Sequence, residues 1–114
     1  MIGRRTRFII ATVLWLAAGS RFAAAEELLT LKLTARNGRF YPETVEAPAG
    51  TRFKIVITNE GPGPEEFESI ELRKETVLAP GVTRSVVFAP LKPGVYRFFG
   101  EFHPDTAQGR IVVK

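Results

Sequence analysis

From Leu29 onward the chain is cut into short alternating pieces by turn-forming residues, a rhythm that leaves room for strands but for no long helix. Leu29, Leu31 and Leu33 alternate with Thr30, Lys32 and Thr34, which is the period of a strand with one buried and one wet face. Asn37-Gly38 turns the chain, Val45 and Ala47 resume the alternation, and Pro48-Ala49-Gly50 breaks it again. Phe53, Ile55 and Ile57 then face one way and Arg52, Lys54 and Thr58 the other. Residues 60–66 hold two prolines and two glycines and read as a loop. Phe67 to Lys74 fits either a strand or a short helical turn. Further strands begin at Val77 and run through Val86 and Phe88, from Val95 to Phe99, and from Ile111 to Lys114, with Pro80-Gly81 and Pro93-Gly94 as turns between them. Many short strands with turns at this spacing build one sandwich or barrel, with no repeat and no linker.

The opening residues follow different rules. Arg4, Arg5 and Arg7 form a basic start, Phe8 to Ala18 is apolar, and Ala23-Ala24-Ala25 offers small residues for cleavage, so residues 1–25 read as a signal peptide and residues 26–114 as the domain. The apolar run ends before Arg21, short of the roughly 20 residues that span a bilayer. Export to the periplasm is the expectation, with no membrane span after cleavage. Sec and twin-arginine routes both stay open. Four of the 16 basic residues sit in this leader and none of the 12 acidic ones does, which leaves the rest balanced at 12 against 12. Overall basicity therefore gives no argument for a nucleic-acid partner. An exported chain of this size commonly relies on disulfides, yet this one has no cysteine, so nine phenylalanines and the aliphatic residues must hold the core unaided.

Two stretches carry a family resemblance. Phe40-Tyr41-Pro42, a short strand, the turn at Ala49-Gly50 and an alternating strand ending in Asn59 form the first. Pro93-Gly94-x-Tyr96-x-Phe98-x-Gly100-x-x-His103, followed by Gly109-x-Ile111-x-Val113, forms the second. Together they resemble a cupredoxin, which implies an all-β fold, a single-domain Greek-key β-sandwich. The resemblance puts the copper-ligating cysteine of blue-copper members at Gly100, a histidine at His103 and the axial methionine near Ala107. Their other histidine would fall in the loop after Asn59, where this chain has Glu65-Glu66-Phe67-Glu68. A trigonal His₂Cys centre needs a thiolate, so this chain is no blue-copper electron carrier.

The glutamates of that loop and the stretch Phe98-Phe99-Gly100-Glu101-Phe102-His103-Pro104-Asp105 are similar to the EfeO-type cupredoxin-like domains. The implied metal ligands are Glu66, Glu68, Glu101, His103 and Asp105, and the implied cofactor is a copper or iron ion. Imidazole and carboxylate suit a harder ion than a thiolate site does. Glu66 and Glu68 share one face of an extended segment and Glu65 takes the other. The competing readings are a solvated acidic loop, a structural histidine, and Glu101 or Asp105 paired with Arg97 or Arg110. Tyr41, Phe98 and Phe99 read as packing residues, because no basic stripe interleaves with them.

As a whole the resemblance implies a periplasmic metal-binding protein of high-affinity iron uptake, working beside a P19-like periplasmic iron/copper protein and an iron permease. No catalytic constellation stands out, and nothing suggests a hydrolase. Fe(II) oxidation, a redox-silent docking role in the transport complex and a degenerate domain without a metal are the alternatives.

Overall fold

A computed structural model describes residues 28–114, so the leader expected over residues 1–25, its cleavage point and Trp15 lie outside the described residues. Nine strands follow one another without a helix among the described residues. They are β1 (Leu29–Arg36), β2 (Arg39–Tyr41), β3 (Thr44–Ala47), β4 (Phe53–Asn59), β5 (Glu65–Ser69), β6 (Lys74–Leu78), β7 (Thr83–Phe88), β8 (Gly94–Phe99) and β9 (Gln108–Val113). One sheet has the order β2-β1-β4-β7 and the other β3-β9-β8-β5-β6. β1 runs parallel to β4 and β3 parallel to β9, while the other pairs are antiparallel. The expected all-β sandwich is what forms.

Alternation decides which side of each strand enters the core. In β4, Phe53, Ile55, Ile57 and Asn59 are buried and Lys54, Val56 and Thr58 less so. In β1 the buried face begins only at Leu33 and Ala35; Leu29, expected to be buried, is 42% exposed at the strand's first position. The segment that sequence left open resolves into β5 followed by a turn over residues 70–73, with Arg73 in the left-handed region at φ 56°. β5 starts at Glu65, inside the stretch expected to be loop.

Three phenylalanines tie the sheets together. Phe40 of β2 meets Phe98 of β8 edge to face at 5.3 Å and Phe67 of β5 at 6.2 Å, while Phe67 and Phe98 lie 5.0 Å apart. Within the four-stranded sheet, Phe53 and Phe88 stack at 4.9 Å from opposite positions of β4 and β7. Aromatic pairs like these add about 0.5–1.5 kcal/mol each beyond the area they bury. Phe98 lies opposite Gly109 in the β8–β9 register and its ring fills the space a side chain there would take, since a Cβ on Gly109 would also stand 2.8 Å from the Glu43 carbonyl.

The loop between β4 and β5 is organised by one buried side chain. Asn59 is 1% exposed, its Nδ2 donates to the carbonyls of Gly63 and Leu78 at 2.9 Å each, and its Oδ1 accepts from the Gly61 N–H at 2.8 Å. It thereby pins the glycine-proline loop to β6 and sets where β5 begins. Replacing Asn59 with Ala strands these backbone groups in a dry site, and we expect a loss of about 2–4 kcal/mol of stability, read from urea unfolding. An unchanged urea midpoint would show that the loop holds itself.

Candidate metal centre

β5 carries two donor sets on its two faces. Phe67 points into the core, so its neighbour two residues earlier, Glu65, points to the same side, and Glu66 and Glu68 point to the other. Glu65 is 2% exposed and Glu66 3% exposed, both unusual for glutamate.

On the core side, Glu65 Oε2 lies 2.6 Å from His103 Nδ1, and Glu65 Oε1 accepts the Glu66 backbone N–H at 3.0 Å. A carboxylate only accepts, so Nδ1 carries the proton in this pair and Nε2 faces away from it. The loop over residues 100–107 closes tightly on itself. Gly100 N–H donates to the Ala107 carbonyl at 2.8 Å, Ala107 N–H to the His103 carbonyl at 2.8 Å, and His103 N–H to the Gly100 carbonyl at 3.1 Å. The Asn37-Gly38 hairpin turn, with both residues at positive φ, forms the other wall. A Cβ on Gly38 would stand 2.9 Å from the His103 ring, and the Gly38 carbonyl accepts from Thr106 Oγ1 at 2.6 Å. A turn signal in the sequence is thus also the seat of the histidine. A hollow of about 360 Å³ lies beside the pair, lined by Arg36, Asn59, Pro64, Glu65 and His103 among others.

Gly100 packs against the same Glu65 carboxylate. A Cβ there would contact the Glu65 carboxylate, with Glu65 Cδ at 2.7 Å and Ala107 Cβ at 2.9 Å. Glu65, Gly100, His103 and Ala107 therefore converge; the cupredoxin resemblance points to the last three and, for the first, to the stretch 65–68 without singling out Glu65. The donors of a blue-copper centre do not fit, because the space of a cysteine side chain is taken by a carboxylate.

On the outer side, one oxygen from each of Glu66, Glu68 and Glu101 lies within 4.8 Å of the others. Glu101 follows Gly100 by one residue, so alternation turns it to this side. Its N–H donates to Glu66 Oε1 at 3.1 Å, which fixes the Glu66 rotamer. Burial pushes the Glu66 carboxyl up to about 7; the Glu101 N–H opposes the rise, and the charges of Glu68 and Glu101 add to it. Oxygens bound to one cation at about 2.0–2.6 Å lie at most about 4–5 Å apart, so this donor set fits a hard ion with little rearrangement. His103 and Asp105 stand outside the triad, and Asp105 is exposed. Neither Glu101 nor Asp105 forms an ion pair with Arg97 or Arg110 among the described residues; the pairs present are Arg36–Glu60 and Lys114–Glu46, beside the hydrogen-bonded His103–Glu65.

Glu65 is the residue the sequence reading left out of the ligand set. Its signal was the parity it shares with Phe67, usable only once β5 is known to start before Phe67.

Comparison with known families matches residues 7–113 to the cupredoxin-like domain. The chain belongs to the cupredoxin-like domain family. An uncharacterized protein of Rickettsia prowazekii (strain Madrid E) is 42% identical over 88 residues, covering 77% of this chain and 70% of the relative. Among solved structures, dithionite-reduced auracyanin of Roseiflexus castenholzii aligns with a TM-score of 0.65 at 14% identity, over 75% of this chain and 96% of auracyanin. A purple cupredoxin of Nitrosopumilus maritimus aligns at 0.57 and 21% identity, over 74% and 99%. The metal-binding domain of the Cu(I)-exporting P-type ATPase of Streptococcus pneumoniae D39, solved with Cu(I), aligns at 0.63 and 15% identity, over 75% and 84%. At these identities the likeness is one of fold. In this cupredoxin-like chain no helix among the described residues is long and apolar enough to cross a membrane.

The raised Glu66 carboxyl gives stability a defined pH dependence. Between its ordinary value of 4.5 and about 7 the folded chain holds a proton that the unfolded chain has released. Stability from this group is therefore complete below about 4.5 and is lost as pH rises through about 7. We expect Glu66→Gln to flatten the profile and to exceed the parent protein at pH 8 by about 1–3 kcal/mol in metal-free urea unfolding. Parallel profiles for the two proteins would show that Glu66 is solvated.

Proposed function

We propose that this protein is a periplasmic, metal-binding cupredoxin-like protein of the EfeO type that handles iron, and copper beside it, in high-affinity ferrous-iron uptake. The observation that carries the reading is the oxygen triad of Glu66, Glu68 and Glu101 on the outer face of β5. Three carboxylates around one point repel one another, and a di- or trivalent cation relieves the repulsion while keeping their hydrogen bonds. All-oxygen donors favour hard ions, and Fe(III) over Fe(II).

His103 supplies a donor of different character. Metal-ligating histidines commonly donate their second ring N–H to a carboxylate, which fixes ring and tautomer. Glu65 stands in that relation to His103, leaving Nε2 as the lone-pair nitrogen. Imidazole suits copper, and the fold it sits on is shared with a domain solved with Cu(I). Asp105, exposed on the same loop, is the remaining carboxylate of the ligand set expected from the resemblance. The partners of this reading are a P19-like periplasmic iron/copper protein and an iron permease.

Calorimetric titration of the metal-stripped protein with Fe(II) under anaerobic conditions, Fe(III)-citrate, Cu(II) and Zn(II) tests the reading. We expect one iron per chain, weakened at least about tenfold by Glu66→Gln and by Glu101→Gln. Affinity should also fall as pH drops below about 7, because a proton then competes for Glu66. Absence of binding by any of the four ions would overturn the proposal. Sustained Fe(II) oxidation with dioxygen or excess Cu(II) as acceptor would identify a ferroxidase, and stoichiometric binding without turnover a carrier or docking module.

A further inference from the structure

We propose that the outer face of β8 and β9 binds a small organic carboxylate, with Arg97 and Arg110 holding the carboxylate and Phe99 and Pro104 the apolar body. The inference is independent of the metal reading.

Arg97 and Arg110 are direct cross-strand partners. Opposite residues of an antiparallel pair bring their Cβ atoms to about 4.5–5.5 Å, and like charges placed so repel. Phe98 fills the inner face of β8, so Arg97 and Phe99 both stand on the outer one. Neither guanidinium forms an ion pair among the described residues. Of the nearby acids, Glu71 is engaged through its carboxylate and Glu43, which lines the same hollow, through its backbone only. Glu71 Oε1 accepts the backbone N–H of Arg97 at 2.8 Å, continuing the ladder where β5 has left β8, and Glu43 offers Arg110 N–H its backbone carbonyl at 2.8 Å. Arg110 Nε donates to Thr44 Oγ1 at 3.1 Å, which orients the guanidinium and leaves its terminal nitrogens without a partner among the described residues.

The surface is concave on both sides of Arg97. A hollow of about 130 Å³ is lined by Glu43, Thr44, Arg97, Gln108, Gly109 and Arg110. A second, of about 350 Å³, shares Arg97, Gln108 and Gly109 with it and adds Phe98, Phe99 and Pro104. Gln108 Nε2 donates to the Pro104 carbonyl at 2.9 Å, so the wall between them is tied in place. A planar fork of donors recognises a carboxylate through paired charge-assisted hydrogen bonds, and the adjoining aromatic and proline surface takes an apolar group. An inorganic anion would fill only the first hollow. A polyanion finds no continuation, since the sheet face ends in the carboxylates of Glu66, Glu68 and Glu101.

Amide chemical-shift titration of the isotope-labelled, metal-free protein with sodium benzoate, sodium acetate and sodium phosphate tests the proposal. Benzoate should shift Arg97, Phe99, Gln108 and Gly109 along a saturable curve. Arg97→Ala and Arg110→Ala should each weaken it about tenfold, with the rest of the spectrum unchanged. Acetate and phosphate should bind more weakly. Three results would overturn the site: no saturation with benzoate, affinity unaltered in both variants, or phosphate binding as tightly as benzoate.

Discussion

The position of Phe67 in the core sets everything that follows along β5. A strand has a period of two, so one buried ring commits Glu65 to the inner side and Glu66 and Glu68 to the outer. Phe67 cannot slip by one residue, because it is wedged between Phe40 and Phe98 at ring distances of 6.2 and 5.0 Å. The same commitment reaches the loop after β8, where Gly100 meets Glu65 and Glu101 joins Glu66 and Glu68. One buried ring thus sorts four carboxylates onto two faces.

Such sorting carries a cost, since a buried carboxylate is several kcal/mol worse off than a hydrated one unless its partners replace the water. Glu65 has the Glu66 N–H and His103. Glu66 has the Glu101 N–H, beside two further carboxylates, and its proton affinity rises accordingly. The two faces therefore differ in kind: the inner one is a closed pair, and the outer one is an incomplete site that a cation would complete.

Much of this was legible in the sequence, and the exceptions have physical causes. Alternation and turn residues were enough for the sandwich because strand and turn signals are local; Phe53, Ile55 and Ile57 are all fully buried. The start of β5 was hidden because Gly61-Pro62-Gly63-Pro64 suggests that the loop continues, whereas Asn59, by bonding to Gly61, Gly63 and Leu78, ends it at Glu65. That bond to Leu78 spans 19 residues and leaves no local trace. Glu66, Glu68 and Glu101 were legible as candidates from spacing and resemblance, but grouping them apart from His103 needed the parity of β5.

The departure from a thiolate site is shared by several positions. Glycine at position 100 leaves room for the Glu65 carboxylate, which in turn orients His103; the small Ala107 lies where a Cβ on Gly100 would come within 2.9 Å. Gly38 has to be bare for the His103 ring to lie against it. Introducing a sulfur ligand at position 100 would displace the carboxylate and release the histidine together, so no single substitution leads from this arrangement to a trigonal copper centre. The absence of cysteine is therefore one part of a joint solution in which Glu65 takes up the space, the hydrogen bonding and the charge at the top of the sandwich.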